Sequence, residues 1–229
     1  MNYFAHALRH LDKPHFLAGL ALPDLLSVVD RQVRLRARRI EPILDDLTEH
    51  DEQVARGILQ HLDDDRWFHG TPGFYHVTGA IGADFRKLLG PDDTWRCGFL
   101  GHIVCELLLD AELARQVPGK LQEYYELMET WKPHAIQELV NQLAERSTTR
   151  LAEFIGLFIR ERFLFDYVDD DRLLYRLNQV MRRVQLQPLP VETRSVLARG
   201  RETVRASLVN LLPPEHYPEL ACLVDVASS

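Results

Sequence analysis

Apolar residues in this chain recur with the period of an α-helix wherever they are dense enough to read, and that periodicity limits the fold more than any other feature. Between Asp51 and Phe68, the residues Val54, Ile58, Leu59, Leu62 and Trp67 recur at spacings dominated by three and four. A second long segment, Asp93 to Gln116, sets Phe99, Leu100, Ile103, Val104, Leu107 and Leu108 on one broad stripe and stops at Pro118-Gly119. Further helices are expected over Gln122–Trp131, Ala135–Leu143, Leu151–Tyr167, Asp170–Val184 and Val191–Leu211. Breaks fall at Pro133, at Gln187-Pro188-Leu189-Pro190 and at Pro213-Pro214. Few windows alternate with period two, and no Asn-Gly or Asp-Gly hairpin signal appears. The expected fold class is all-α, a bundle of about eight to ten helices.

The length of 229 residues allows one domain or two small ones, since a domain averages roughly 150 residues. No Gly/Ser-rich linker divides the chain and no repeat is visible, so a single helical domain over 1–229 is expected. Within it, 1–117 would carry any chemistry and 118–229 would support it. No apolar run approaches the roughly 18 residues of a membrane span. The opening Met1-Asn2-Tyr3-Phe4-Ala5-His6 lacks a basic region followed by an apolar run. Cys97, Cys105 and Cys222 show no CxxC spacing, which fits a reduced, cytoplasmic protein. A net charge of −7 argues against a general nucleic-acid binder while leaving room for a local basic dock.

Histidine is unevenly distributed. His6, His10, His15, His50, His61, His69, His76 and His102 all lie in the first 102 residues, and only His134 and His216 lie beyond. Histidine is the commonest metal ligand and the usual acid–base group near neutral pH, so any chemistry is expected in the front half. On the Asp51 helix, His61 and Asp65 are one turn apart, with His69 a further turn on; the pair could share a cation or form a surface hydrogen bond. Asp63-Asp64-Asp65 reads as a solvated acidic turn. His102, Glu106 and Asp110 follow at i, i+4 and i+8 among Ile103, Val104, Leu107, Leu108 and Leu109. Polar groups there need partners, and either a metal or a hydrogen bond to another helix would serve. In the run from His15 to Asp24, Pro23 disfavours helix at Leu22, so Asp24 is expected where a helix ends or restarts, as a cap or a ligand.

Together these pieces resemble the bacterial acyl-carrier-protein phosphodiesterase family, usually placed with the HD-domain-like hydrolases. Met1-Asn2-Tyr3-Phe4-Ala5-His6, followed by Gly19 and Asp24, is similar to that family's opening. Its run Gly-Ile-x-x-His-x-x-x-Asp-x-x-x-Asp-x-x-Pro is matched by Gly57-Ile58-Leu59-Gln60-His61, Asp65 and Pro72, with His69 where the family has aspartate. The family's Asp-His-Phe-Leu element falls on Gly101-His102-Ile103-Val104, with Gly101 replacing the aspartate. Leu22-Pro23-Asp24 and Gly98-Phe99-Leu100-Gly101-His102 also resemble zinc-dependent phospholipase C-type helical proteins. The resemblance covers 1–112. It implies an HD-domain-like bundle and a metal-dependent phosphodiesterase acting on a phosphate ester, of acyl-carrier-protein type in the first family.

By that resemblance, His6, Asp24, His61, Asp65 and His102 are candidate metal ligands, with Glu106 and Asp110 added from the helix spacing. Mixed imidazole and carboxylate ligands suit Mn, Fe or Zn. The expected reaction is attack on a phosphodiester by a metal-activated water, with Asp24 or Asp65 holding the metal or orienting the water. His69 or His76 would protonate the leaving group. Arg31, Arg34, Arg36, Arg38 and Arg39 lie within nine residues and could steer an anionic substrate or an acidic carrier protein, or form a solvated helix face balanced by Asp45, Asp46, Glu49, Asp51 and Glu52. Trp67, Phe68, Phe74 and Tyr75 could wall a pocket or simply pack between helices. Two other classes remain: a non-catalytic helical interaction module with a degenerate metal site, and a nucleic-acid-binding regulator using Arg31 to Arg39.

Overall fold

The computed structural model describes residues 1–90 and 95–218; Asp93 and Cys222, which figure in the sequence reading, lie outside them. Helix is the only regular structure among the described residues, with no strand. The α-helices are α1 (Tyr3–Ala7), α2 (Pro14–Val29), α3 (Ala37–Ile40), α4 (Glu49–Phe68), α5 (Pro72–Leu89) and α6 (Cys97–Gln116). They continue with α7 (Lys120–Met128), α8 (Pro133–Leu143), α9 (Leu151–Glu161), α10 (Asp170–Arg183), α11 (Thr193–Ala206) and α12 (Leu208–Leu211). The all-α class holds, and α1, α3 and α12 are single turns too short for periodicity to register. No helix of the described residues is long and apolar enough to cross a membrane.

Three segments differ from the expectation. Helix α2 runs through Pro23 instead of breaking there, so Asp24 lies inside a helix and not at its cap. A prolyl residue in a helix interior costs about 3 kcal/mol. Leu17, Leu20, Leu22 and Leu25 are all buried on α2, each stabilising by about 1.5–3 kcal/mol, so core burial outweighs that cost. The stretch Leu151–Tyr167 breaks at Arg162, whose φ of 48° ends α9 before a 3-10 turn over Phe163–Val168. Val191–Leu211 is interrupted at Ser207. Helix α5 is not among the segments read from spacing, although it has clear signals. Thr71 Oγ1 accepts the Phe74 N–H, Pro72 occupies the first turn and Gly90 follows with φ +89°.

The helices group into two units, each assembled from two stretches: Met1–Trp67 with Gly119–Phe163, and Phe68–Pro118 with Leu164 onward. The grouping therefore does not follow a division at residue 117. In the first unit, α2 is packed by α1, α7 and α9. Its crossing with α4 is unusually close: a Cβ on Gly19 would lie 2.0 Å from the Val54 carbonyl oxygen, and one on Gly57 would lie 2.0 Å from that of Phe16. Thr48 starts α4, accepting the Asp51 N–H and donating to Asp51 Oδ2. In the second unit, α5 and α6 pack together and α11 contacts both. Gly101 allows that α5–α6 contact, since a Cβ there would lie 2.4 Å from the Thr78 carbonyl oxygen.

Candidate metal centre

In the first unit the close α2–α4 crossing sets the position of His61. This residue follows Gly57 by one turn, and its Nδ1 donates to the Leu20 carbonyl oxygen on α2 at 2.8 Å. A carbonyl only accepts, so Nδ1 carries a proton. The other ring nitrogen, Nε2, then faces Asp65 Oδ2 at 3.5 Å. His6 on α1 stacks against His61, with ring centroids 4.0 Å apart and planes 21° apart. Its Nδ1 lies 3.3 Å from Asp64 Oδ2, and its Nε2 is 3.4 Å from Asp65 Oδ1. That buried Nε2 makes no hydrogen bond among the described residues. Both rings thus spend one nitrogen on a fixed acceptor and turn the other toward one carboxylate.

Asp64 is the anchor of this arrangement. Arg9 Nη2 donates to both of its oxygens at 2.8 and 2.9 Å, and Gln60 and Trp67 Nε1 donate to Oδ1 at 2.9 and 3.2 Å. Burial alone would raise its pKa, but the His6 hydrogen bond and the Arg9 charge win and hold it well below the carboxylate range. Asp65 is likewise held far below that range, burial being outweighed by His6, His61 and the amino terminus. The three aspartates read as a solvated turn are therefore unlike one another. Only Asp63 is solvent-exposed and paired with Arg66, while Asp64 is fully buried.

The donor set fits a divalent cation. Ligand bonds of about 2.0–2.2 Å put neighbouring ligand atoms roughly 3.0 Å apart in octahedral and 3.4 Å in tetrahedral geometry. The Nε2–Oδ distances of 3.4 and 3.5 Å fall at the tetrahedral value. A carboxylate or backbone carbonyl behind each imidazole is the usual support for a metal-bound histidine. The Met1 ammonium also donates to Asp65 Oδ1, at 2.7 Å, supplying positive charge at the same carboxylate.

A second His and carboxylate group lies wholly in the other unit. His69, one residue past α4, and His102 on α6 direct their Nε2 atoms to Glu106 Oε1, at 3.0 and 3.2 Å. The side chains of His69, His102 and Glu106 are 33%, 46% and 15% exposed. Phe74 on α5 packs on both imidazoles, with centroid distances of 4.8 and 5.0 Å. Burial would raise the Glu106 carboxyl, but contacts including the two histidines hold it below the usual range.

The remaining expected residues do not join either group. Asp24 is half-buried within α2, its carbonyl accepting from Ser27 Oγ. Asp110 is buried on α6 but is not brought to His102 and Glu106, and His76 is exposed on α5. Of the arginines, Arg39 donates to the carbonyls of Leu143 and Ala144 at the end of α8. Arg31, Arg34, Arg36 and Arg38 are exposed and form no ion pair among the described residues. Arg34 and Arg36 alternate with buried Val33 and Leu35 ahead of α3, while Arg38 and Arg39 lie on α3, so only part of the cluster is on a helix. Phe74 walls a histidine pair, whereas Tyr75 points outward and Trp67 serves Asp64. Arg9 and Asp64 escaped the sequence reading because their roles depend on a pairing 55 residues apart. No family model matches this chain, and neither does any curated protein or solved structure.

Proposed function

We propose that this protein is a divalent-metal-dependent hydrolase of phosphate esters, a phosphodiesterase, that binds its metal through His6, His61 and Asp65. One observation carries the reading: two stacked imidazoles have Nδ1 committed to Asp64 and to the Leu20 carbonyl, leaving both Nε2 atoms against Asp65. A bound divalent ion would supply a water acidified to about neutral pH and a charge against a phosphoryl oxygen. Within the chain, Asp64 and Arg9 hold His6, the Leu20 carbonyl holds His61, and Asp65 contributes the negative charge. Arg31, Arg34, Arg36 and Arg38 belong to the same unit and, with no ion pair among the described residues, offer positive charge to an anionic substrate. The choice of a phosphodiester, and of an acidic carrier protein as its bearer, rests on the resemblance of 1–112 to the carrier-protein phosphodiesterases.

A non-catalytic helical module that kept this scaffold is favoured by one contact, the Met1 ammonium on Asp65, which already supplies a cation's charge. A single experiment separates the readings. Protein purified without a nickel column is analysed for metal and assayed on bis(p-nitrophenyl) phosphate with Mn, Fe, Zn or Mg added, alongside His61→Ala and Asp65→Asn. Metal and turnover in the wild type, both lost in the variants, support the hydrolase. No turnover with any ion leaves the interaction module.

A further inference from the structure

We propose that His69, His102 and Glu106 form a second cation site, selective for first-row divalent transition ions such as Zn(II) and left open to solvent on one side. All three residues belong to the second unit. His102 and Glu106 stand one turn apart on α6, and His69 reaches them from the residues just after α4. Their ligand atoms meet at one carboxylate oxygen, with separations of 3.0 and 3.2 Å. Those values lie between the roughly 3.0 Å of octahedral and 3.4 Å of tetrahedral neighbours. Phe74 packs on both rings and fixes their planes, which preorganises the nitrogens.

Two imidazoles and a single carboxylate select against Mg(II) and Ca(II), which take all-oxygen sets, and favour Zn(II), Fe(II) or Co(II). Three protein ligands leave at least one coordination position, and half-exposed histidines put that position in reach of water or a small anion. The tight α5–α6 contact at Gly101 supplies the reason Glu106 provides the carboxylate. Residue 101 has no room for a side chain, and Glu106 approaches His102 from the next turn of the same helix.

The test is calorimetric titration of the full-length protein, stripped of metal with a chelator, with ZnCl2 and separately with MgCl2. Wild type, His102→Ala, Glu106→Gln and His61→Ala are compared, with helicity checked by circular dichroism. His102 is half-exposed and Glu106→Gln is isosteric, so the fold should survive both. One Zn(II) binding event is expected to weaken at least about 100-fold in His102→Ala and Glu106→Gln, beyond the range seen for outer-shell residues. The same event should persist in His61→Ala and be absent with MgCl2. Co(II) bound there should show a visible absorption spectrum that Glu106→Gln changes. Zn(II) isotherms of His102→Ala and Glu106→Gln that superimpose on wild type would overturn the proposal, as would equal binding of Mg(II). Loss of the same event in His61→Ala would also overturn it, by making all these residues one site. Persistence of this event with no second event sensitive to His61→Ala would instead sink the hydrolase reading and leave this site standing.

Discussion

His61 donates through Nδ1 to the Leu20 carbonyl oxygen at 2.8 Å, and that bond decides which ring nitrogen faces Asp65. Because the acceptor is backbone, truncating a side chain on α2 does not remove it. The orientation of the ring is therefore a property of how closely α2 and α4 cross, and the chemistry of the first unit depends on two glycines that bear no functional group.

Gly19→Ala and Gly57→Ala are each expected to destabilise the protein by about 3 kcal/mol or more, because the new Cβ meets backbone and not a movable side chain. Gly79→Ala is the control: it is exposed within α5 with nothing within 4 Å, and should stabilise by about 0.5–1 kcal/mol. Urea denaturation of the three variants measures both signs.

Arg9→Ala removes the charged partner of a fully buried carboxylate. Loss of about 3 kcal/mol is expected, at the low end for breaking a buried pair because Gln60 and Trp67 still donate to Asp64. The variant should also bind metal at His6, His61 and Asp65 about 10–100-fold more weakly, since His6 loses its anchored acceptor. A metal affinity unchanged in a folded Arg9→Ala protein would show that the Asp64–His6 contact does not support a ligand.

His10 packs on Phe16 and titrates at about 4, lowered first by burial and then by Arg9, with Lys13 adding to the effect and Asp64 and Asp12 opposing it. Above its ordinary value of 6.5 the ring is neutral in both states and its full contribution to stability is present. Between 6.5 and about 4 the unfolded chain binds the extra proton, so stability falls as pH falls through that window. His10→Gln should flatten this part of the stability–pH curve. Asp64 and Asp65, held below the carboxylate range, contribute stability that is kept through this window and lost only in stronger acid.

An Arg34→Ala/Arg36→Ala/Arg38→Ala protein should be as stable as wild type to within about 0.5 kcal/mol, because these side chains are exposed and form no ion pair among the described residues. Turnover of a small phosphodiester should be spared. Activity toward a large anionic substrate should fall, most steeply at low salt, where the field of these charges reaches furthest. Equal loss on both substrates would place the arginines in the reaction itself.

Helix content and its main boundaries could be read from the sequence because amphipathic spacing, proline and terminal glycine act within a few residues. The i, i+4 pairs His61–Asp65 and His102–Glu106 were legible for the same reason, since a helix brings such residues together whatever surrounds it. Burial and partner choice were decided elsewhere. Asp63, Asp64 and Asp65 are identical in type, yet one is solvated, one is buried under Arg9 and His6, and one faces two imidazoles. Pro23 carries a local signal to end a helix, and the buried leucines of α2 override it. Tertiary packing also sorted the expected ligands into two groups, because His6 reaches α4 only through the folding of α1, and His69 reaches Glu106 only through the placement of α6. Local rules set each helix and what shares its face; long-range burial, which no short window contains, set which carboxylate each histidine meets.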